Sequence, residues 1–404
     1  MVPDGWQATT LGKLFKSRRE RGISGLPTLS VTLTNGLVFR DSLDRKTDTN
    51  LSPEEHLLVR KGDIVYNMMR MWQGASGHAT CDALVSPAYV VLKPTPSVDP
   101  LFASYFFKAA RTIYLFWAYS YGLTNDRLRL YYADFSGIPV AVPPIDEQRR
   151  IGRILATWDN AIDGLSRLIT NKELERQAFA RSIFDQERRF SEFEGIAWET
   201  AALAECCSLR GEYGANAAAI PFSADEPRYL RITDISDVGD LIETGAVSIR
   251  RSQAEGSFLG AGDIVFARSG ATVGKSYLHR SSSELAYAGY LIKFRPCPDL
   301  LDPEFLFQFV RSSQFWQWVQ RSTRAGAQPN INAEEYGNLR VPLPSIAEQQ
   351  RIARALRNFD QQLQVLRSDR DLVTLEKTAL MQQLFTGKRR VDVKDATAPV
   401  AVNG

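Results

Sequence analysis

The segment PPIDEQRRI, Pro143 to Ile151, returns as PSIAEQQRI, Pro344 to Ile352, 201 positions further on and with six of nine residues identical. At the same offset the match runs on through Arg153/Arg354, Leu155/Leu356, Asp159/Asp360, Leu165/Leu366 and Phe184/Phe385. Upstream, KGDIVYNMMR (61–70) lies over AGDIVFARSG (261–270), VDPLFASYFF (98–107) over LDPEFLFQFV (301–310), and ADFSGIPVAVP (133–143) over EEYGNLRVPLP (334–344). The starts echo as well, Trp6 and Leu11 against Trp198 and Leu203. Self-similarity at one long offset means two tandem copies of one unit, each with its own core to bury. A chain of 404 residues that is 44% hydrophobic can fill more than one core.

The end of each copy reads as one long amphipathic helix. Ile151, Ile154/Leu155, Trp158, Ile162, Leu165 and Leu168/Ile169 step by three and four, and Ile352, Leu356, Phe359, Leu363 and Leu366 repeat the stripe. Ser345 and Glu348 have capping-box spacing at the start of the second helix, and Glu147 suits the positive end of the first. A length of about 40 residues corresponds to roughly 60 Å. A helix that long with one apolar stripe needs a partner, and the other copy carries a matching stripe. The divergent remainder of each copy reads as mixed α/β. Short strand-like runs (DIVYNMM, YVVLKP, DIVFAR, YLIKFRP) are punctuated by Gly and Pro, and a single aromatic-rich helix is expected after them in each copy. The expected fold is α+β: two mixed α/β domains (1–142 and 187–343) separated by two long helices (143–186 and 344–391) pairing as an antiparallel coiled coil in a pseudo-twofold tandem repeat, with a tail at 392–404.

Chemistry-bearing motifs are few. Cys81, Cys206, Cys207 and Cys297 have neither CxxC nor metal-ligand spacing, and His56, His78 and His279 form no pair. SGATVGKS (269–276) imitates a phosphate-binding loop but has three residues, not four, between Gly270 and Gly274. IDEQ (145–148) imitates an acidic metal box, yet the second copy keeps only Glu348, and the segment opens a helix. No Asn/Asp-Pro-Pro-aromatic tetrapeptide of an amino-methyltransferase occurs. No apolar run approaches a membrane span and the first residues lack the pattern of a signal peptide, so a cytoplasmic protein is expected.

The net charge of +3 is modest, but cations gather in turn-like segments. Arg18 and Arg19 lie in KSRRERG. Arg70, Arg268, Ser269 and Lys275 follow the DIV strands, and Asn125, Arg127, Arg129, Arg324, Gln328 and Asn330 lie in the polar loops after the aromatic helices. Cations in such places reach phosphates or guanine edges, and amides pair with adenine edges. Taken singly, each is better explained as a solvated or structural loop residue.

The order of variable domain, P…EQ…RI helix, second variable domain and second such helix ending in LMQQLFTGKRRV (380–391) resembles the specificity subunit of type I restriction–modification systems. GDIVFARSG and the QPNIN loop (328–332) resemble that family's target recognition domains. The resemblance spans Trp6 to about Val391. It implies a non-catalytic DNA-binding subunit in which each recognition domain reads one half of a split site. It also implies two methyltransferase subunits as partners, with S-adenosylmethionine bound there and not on this chain, and leaves open whether restriction subunits join. The first copy departs from the pattern, with YNMMRMWQGASG in place of a Ser-Gly loop and GLTNDRLRL in place of Gln-Pro-Asn-Ile. A DNA-modifying enzyme with an unrecognised site and a repressor without enzyme partners remain the alternatives.

Overall fold

A computed structural model describes residues 2–43, 51–124, 127–323 and 329–391. Compactness divides the chain into Met1–Ser166 with Ser368–Gly404, and Arg167–Arg367, so both boundaries fall inside the long helices and not at the ends of elements.

In the first unit a four-stranded antiparallel sheet has the order Phe15–Arg18, Tyr89–Pro94, Ile64–Asn67, Ser76–His78. In the second, Cys207–Tyr213, Leu291–Pro296, Ile264–Ala267 and Ser276–Leu278 follow the same order. The period of two in each DIV strand explains its burial on both faces: Ile64 and Tyr66 enter one core cluster and Val65 another, as Ile264 and Phe266 do against Val265. Each strand is entered through a glycine at positive φ, Gly62 (94°) and Gly262 (89°). The next residue, Asp63 or Asp263, is buried and turns back to accept the Arg60 or Gly260 amide at 2.9 and 2.7 Å. A two-stranded ribbon closes each unit, Gln7–Thr10 with Pro139–Val142 and Glu199–Ala202 with Arg340–Leu343.

Outside this shared frame the units differ. The second carries another four-stranded sheet, Ile220–Pro221, Val247–Ser248, Arg228–Leu230, Leu285–Tyr287, whose last pair is parallel. The first has two short ribbons there, Leu29–Val31 with Leu37–Phe39 and Leu57–Val59 with Ala83–Val85.

The aromatic segment is not the single helix its pattern suggests. It is two helices, Pro100–Phe106 and Ala110–Ala118, mirrored by Pro303–Phe309 and Ser313–Ser322. The chain breaks at extended Ala109, and the second helix then brings Phe116 edge-on against Phe107 at 5.3 Å in one core.

The long helices are Ile145–Phe184 and Ile346–Phe385, 40 residues each, and each contributes to both units. In the first unit Glu147 pairs with Arg390 and Asp159 with Lys377; in the second, Arg176 pairs with Asp360 and Arg189 with Glu348. Within each unit the partner's number falls as the other rises, so the segments run antiparallel. The ring ending each helix seals a core: Phe385 against Phe102 and Phe106 at 5.5 and 5.8 Å, Phe184 against Phe305 and Phe309 at 5.8 and 5.6 Å.

The repeated Glu-Gln pair is wiring more than capping. Gln148 donates to the Pro143 and Ser97 carbonyls and accepts the Asp99 amide. Gln349 does the same with Pro344, Leu300 and Asp302. Each glutamine ties the start of its helix to the loop before an aromatic helix. Buried Glu147 is gripped by both arms of Arg390 at 2.8 Å, and buried Glu348 by Arg189 at 3.0 and 2.6 Å. Ser345 does accept the Glu348 amide at 3.3 Å, but the Glu348 carboxylate goes to Arg189, so only half of the expected capping box forms. A buried carboxylate gains more from a bidentate guanidinium than from one peptide N–H.

Candidate nucleic-acid interface

In each unit the fold brings together two loops distant in sequence: the one after the DIV strand and the one after the aromatic helices. In the second unit Ser269 and Asn330 form an antiparallel bridge. The Ile331 amide donates to the Arg268 carbonyl and the Gly270 amide to Pro329, both at 2.9 Å. In the first, the Leu130 amide donates to Met68 at 2.9 Å, and Tyr121 bridges Arg129. Tyr336 pins the loop of the second unit from below, donating to the Ala267 carbonyl at 2.8 Å and accepting the Gly274 amide at 3.1 Å. Burial raises its phenol pKa well above the ordinary value.

Arg268, Ser269, Lys275 and Asn330 therefore share one surface region. Asn330 is exposed, and Ser269, Arg268 and Lys275 are half-buried. Lys275 holds Asp237 at 2.6 Å and keeps that exposed carboxyl below its usual range. Arg268 has no carboxylate partner among the described residues; its Cζ lies 4.9 Å from the centre of the Tyr213 ring. In the first unit Arg70 is exposed and donates to Gln73 at 3.1 Å, while Arg127 and Arg129 are exposed and without a side-chain partner among the described residues. Arg18 and Arg19 part company. Arg18 is held by buried Asp63 at 2.7 Å, the bond that does most to raise its already high pKa, and also by Glu20, so its charge is committed to the sheet. Arg19 is exposed. Asn125, Arg324 and Gln328 lie outside the described residues.

The sequence reading missed Tyr213 beneath Arg268 and exposed Tyr290, whose carbonyl accepts the Arg268 amide at 3.0 Å. Neither shares a motif with the loop it supports; only the strand pairing brings them there. Gly274-Lys275-Ser276 leads into the strand Ser276–Leu278, so no helix N-terminus stands behind it to cradle a phosphate. The four cysteines are free thiols, Cys206 and Cys207 buried. Among the described residues no group of three or more His, Cys, Asp or Glu is placed to hold a metal ion, and no helix is long and apolar enough to cross a membrane.

Two sheets of one topology carry different loop pairs on a duplicated frame, and known proteins resemble this build. Residues 244–373 match the type I restriction modification DNA specificity domain. The chain is 23% identical over 420 residues to the type I restriction enzyme MjaVIII specificity subunit of Methanocaldococcus jannaschii, covering 96% of this chain and 94% of that one. It is also similar to the putative MjaX specificity subunit of the same organism, 20% identical over 285 residues, with 63% of this chain and 60% of that protein covered. In fold it is similar to the crystal structure of a type I restriction-modification S subunit from M. genitalium (TM-score 0.61, 15% identity, 95% of this chain and 99% of that one). A chain from a structure of a type I R-M system, described for its complex assembly and conformational transition, gives a TM-score of 0.59 at 15% identity over 96% and 100% of the two chains. The chain is thus similar over nearly its whole length to a type I restriction enzyme specificity subunit, and residues 244–373 carry the match to the DNA specificity domain.

Proposed function

We propose that this chain gives a type I restriction–modification complex its DNA sequence preference without catalysing the reaction itself. Each unit reads one half of a split duplex site through its loop pair, and two adenine methyltransferase subunits that carry S-adenosylmethionine dock on the chain. The observation that supports this reading is the pairing of sameness and difference. Sheet order, glutamine tie and Glu–Arg grip recur in both units, while the loops beside them present Met68, Arg70, Arg127 and Arg129 in one and Arg268, Ser269, Lys275 and Asn330 in the other. Cations on phosphates supply affinity that falls with salt, and base-edge contacts supply sequence.

The test is reconstitution. The purified chain alone should transfer no methyl group from S-adenosylmethionine to duplex DNA; mixed with methyltransferase subunits it should co-elute with two of them and direct methylation to a split site. Replacing 187–343 by the corresponding domain of a relative should change one half-site and leave the other intact. Methylation by the lone chain, or simultaneous change of both half-sites, refutes the proposal.

A further inference from the structure

Tyr213 ends the strand Cys207–Tyr213, where it is paired with Ile292. Its ring lies under the Arg268 guanidinium, and its hydroxyl accepts the Ala333 amide at 3.1 Å, which fixes the plate. The Arg268 backbone is held on both sides, its amide by Tyr290 and its carbonyl by Ile331. Its Nε is buried and meets no hydrogen-bond acceptor among the described residues. Other part-buried arginines of this unit are treated differently: Arg176 and Arg311 bind Asp360, Arg189 binds Glu348, and Arg231 binds Asp234. Arg268 is laid on an aromatic face instead, which restrains the plane of the guanidinium and leaves its charge unneutralised.

We propose that Tyr213 is a positioning residue that presets Arg268 to read a guanine in the half-site recognised by the Arg167–Arg367 unit; the proposal rests on the functional reading above and deepens it. A phosphate oxygen asks only for positive charge and is served by a mobile side chain. The O6 and N7 edge of guanine asks for two parallel N–H groups in one plane, and a guanidinium already lying on a fixed ring loses less freedom in supplying them. Ser269 and Asn330, bridged beside it, offer short polar groups to the neighbouring positions.

The first unit builds the same two places otherwise. Met68 stands where Arg268 stands, and the residue one beyond the Arg18–Val91 pair is Arg19, where Tyr213 stands one beyond the Glu212–Lys293 pair. There a cation and not a ring stands one beyond the strand pair, so only one half-site carries the Tyr213-dependent guanine.

The experiment uses the complex reconstituted with methyltransferase subunits and a duplex pool randomised in both half-sites, with methylated products sequenced. The wild-type complex should enrich a split site with guanine at one position read by the second unit. Arg268→Lys, which keeps the charge and loses the fork, should lower that guanine preference about tenfold or more. Tyr213→Ala should lower it about threefold at the same position, Tyr213→Phe should retain it, and the other half-site should not change in any variant. A guanine preference unmoved by Tyr213→Ala or kept by Arg268→Lys overturns the proposal. So does a loss spread evenly over all sequences with a shallower salt dependence, the signature of a phosphate contact. A wild-type complex that selects no split site overturns the functional reading itself, a result distinct from wild-type selection insensitive to these variants.

Discussion

Beside the central strand of each unit two aromatic rings stack, and the hydroxyl sits on opposite partners. In the first unit Tyr66 lies on Phe135 with centroids 5.4 Å apart; in the second, Phe266 lies on Tyr336 at 4.8 Å. The apolar contact is the same, but the polar consequence differs. The Tyr336 hydroxyl ties together Ala267 and Gly274, the two sides of the Arg268–Lys275 loop. The Tyr66 hydroxyl is buried with no partner among the described residues. A duplicated frame can thus preserve ring packing while the loops above it are wired separately, and loops that differ in wiring can read different sequences.

The shared Glu–Arg grip gives the largest expected effect. Glu348→Ala strips a buried carboxylate from Arg189, itself 13% exposed, and should cost about 3–5 kcal/mol in denaturant unfolding of the second unit. Glu147→Ala should cost less, because Arg390 is 42% exposed and can turn to water. Equal losses would mean that burial of the arginine does not set the strength of the grip.

The hydroxyl exchange comes next. Tyr336→Phe removes both hydroxyl bonds, leaving the Gly274 amide and the Ala267 carbonyl only their direct 3.2 Å bond to each other, and should destabilise by about 0.5–1.5 kcal/mol. Tyr66→Phe removes an unpartnered hydroxyl and should be neutral or stabilising. Thermal melts of the two variants should therefore move apart, and a matched loss in both would show that the ring pair, not its hydrogen bonds, carries the energy.

The smallest effect separates the units by acid. Burial alone raises the Asp360 carboxyl, but Arg311 and Arg176 together outweigh it and hold the pKa below the ordinary aspartate value. Its stabilisation is complete above the unfolded-state pKa and is lost as pH falls through the lower folded-state pKa. The affected window therefore lies below about pH 4, with a slope of at most about 1.4 kcal/mol per pH unit. Asp360→Asn should flatten that limb of a stability–pH curve, and an unchanged slope would remove Asp360 from the account.

Much of the molecule was legible along the chain. The 201-residue offset predicted two related bodies, the three-and-four stripe from Ile151 to Ile169 predicted a long helix, and the short runs DIVYNMM and DIVFAR predicted strands. These are properties of neighbouring residues, and backbone periodicity reports them without knowledge of what lies opposite. The candidate site was legible only in outline. Arg268, Ser269 and Asn330 were singled out from two separate loops, and the bridge between Ser269 and Asn330 brings them together.

What the sequence by itself determined, then, is the duplication, the helices, the strands and the two segments in each copy that carry polar loops. Tertiary structure alone decided which partner each charge and ring would have. Glu147 looked like a helix cap until Arg390, 243 residues away, came within reach. Arg18 looked as free as Arg19 until Asp63 claimed it, and nothing near Arg268 in the chain announces Tyr213. Spacing along a chain encodes the face a side chain will occupy. The partner it meets depends on which distant segment the core draws against that face, and a hydrogen bond or ion pair is decided over the last few ångströms of that approach.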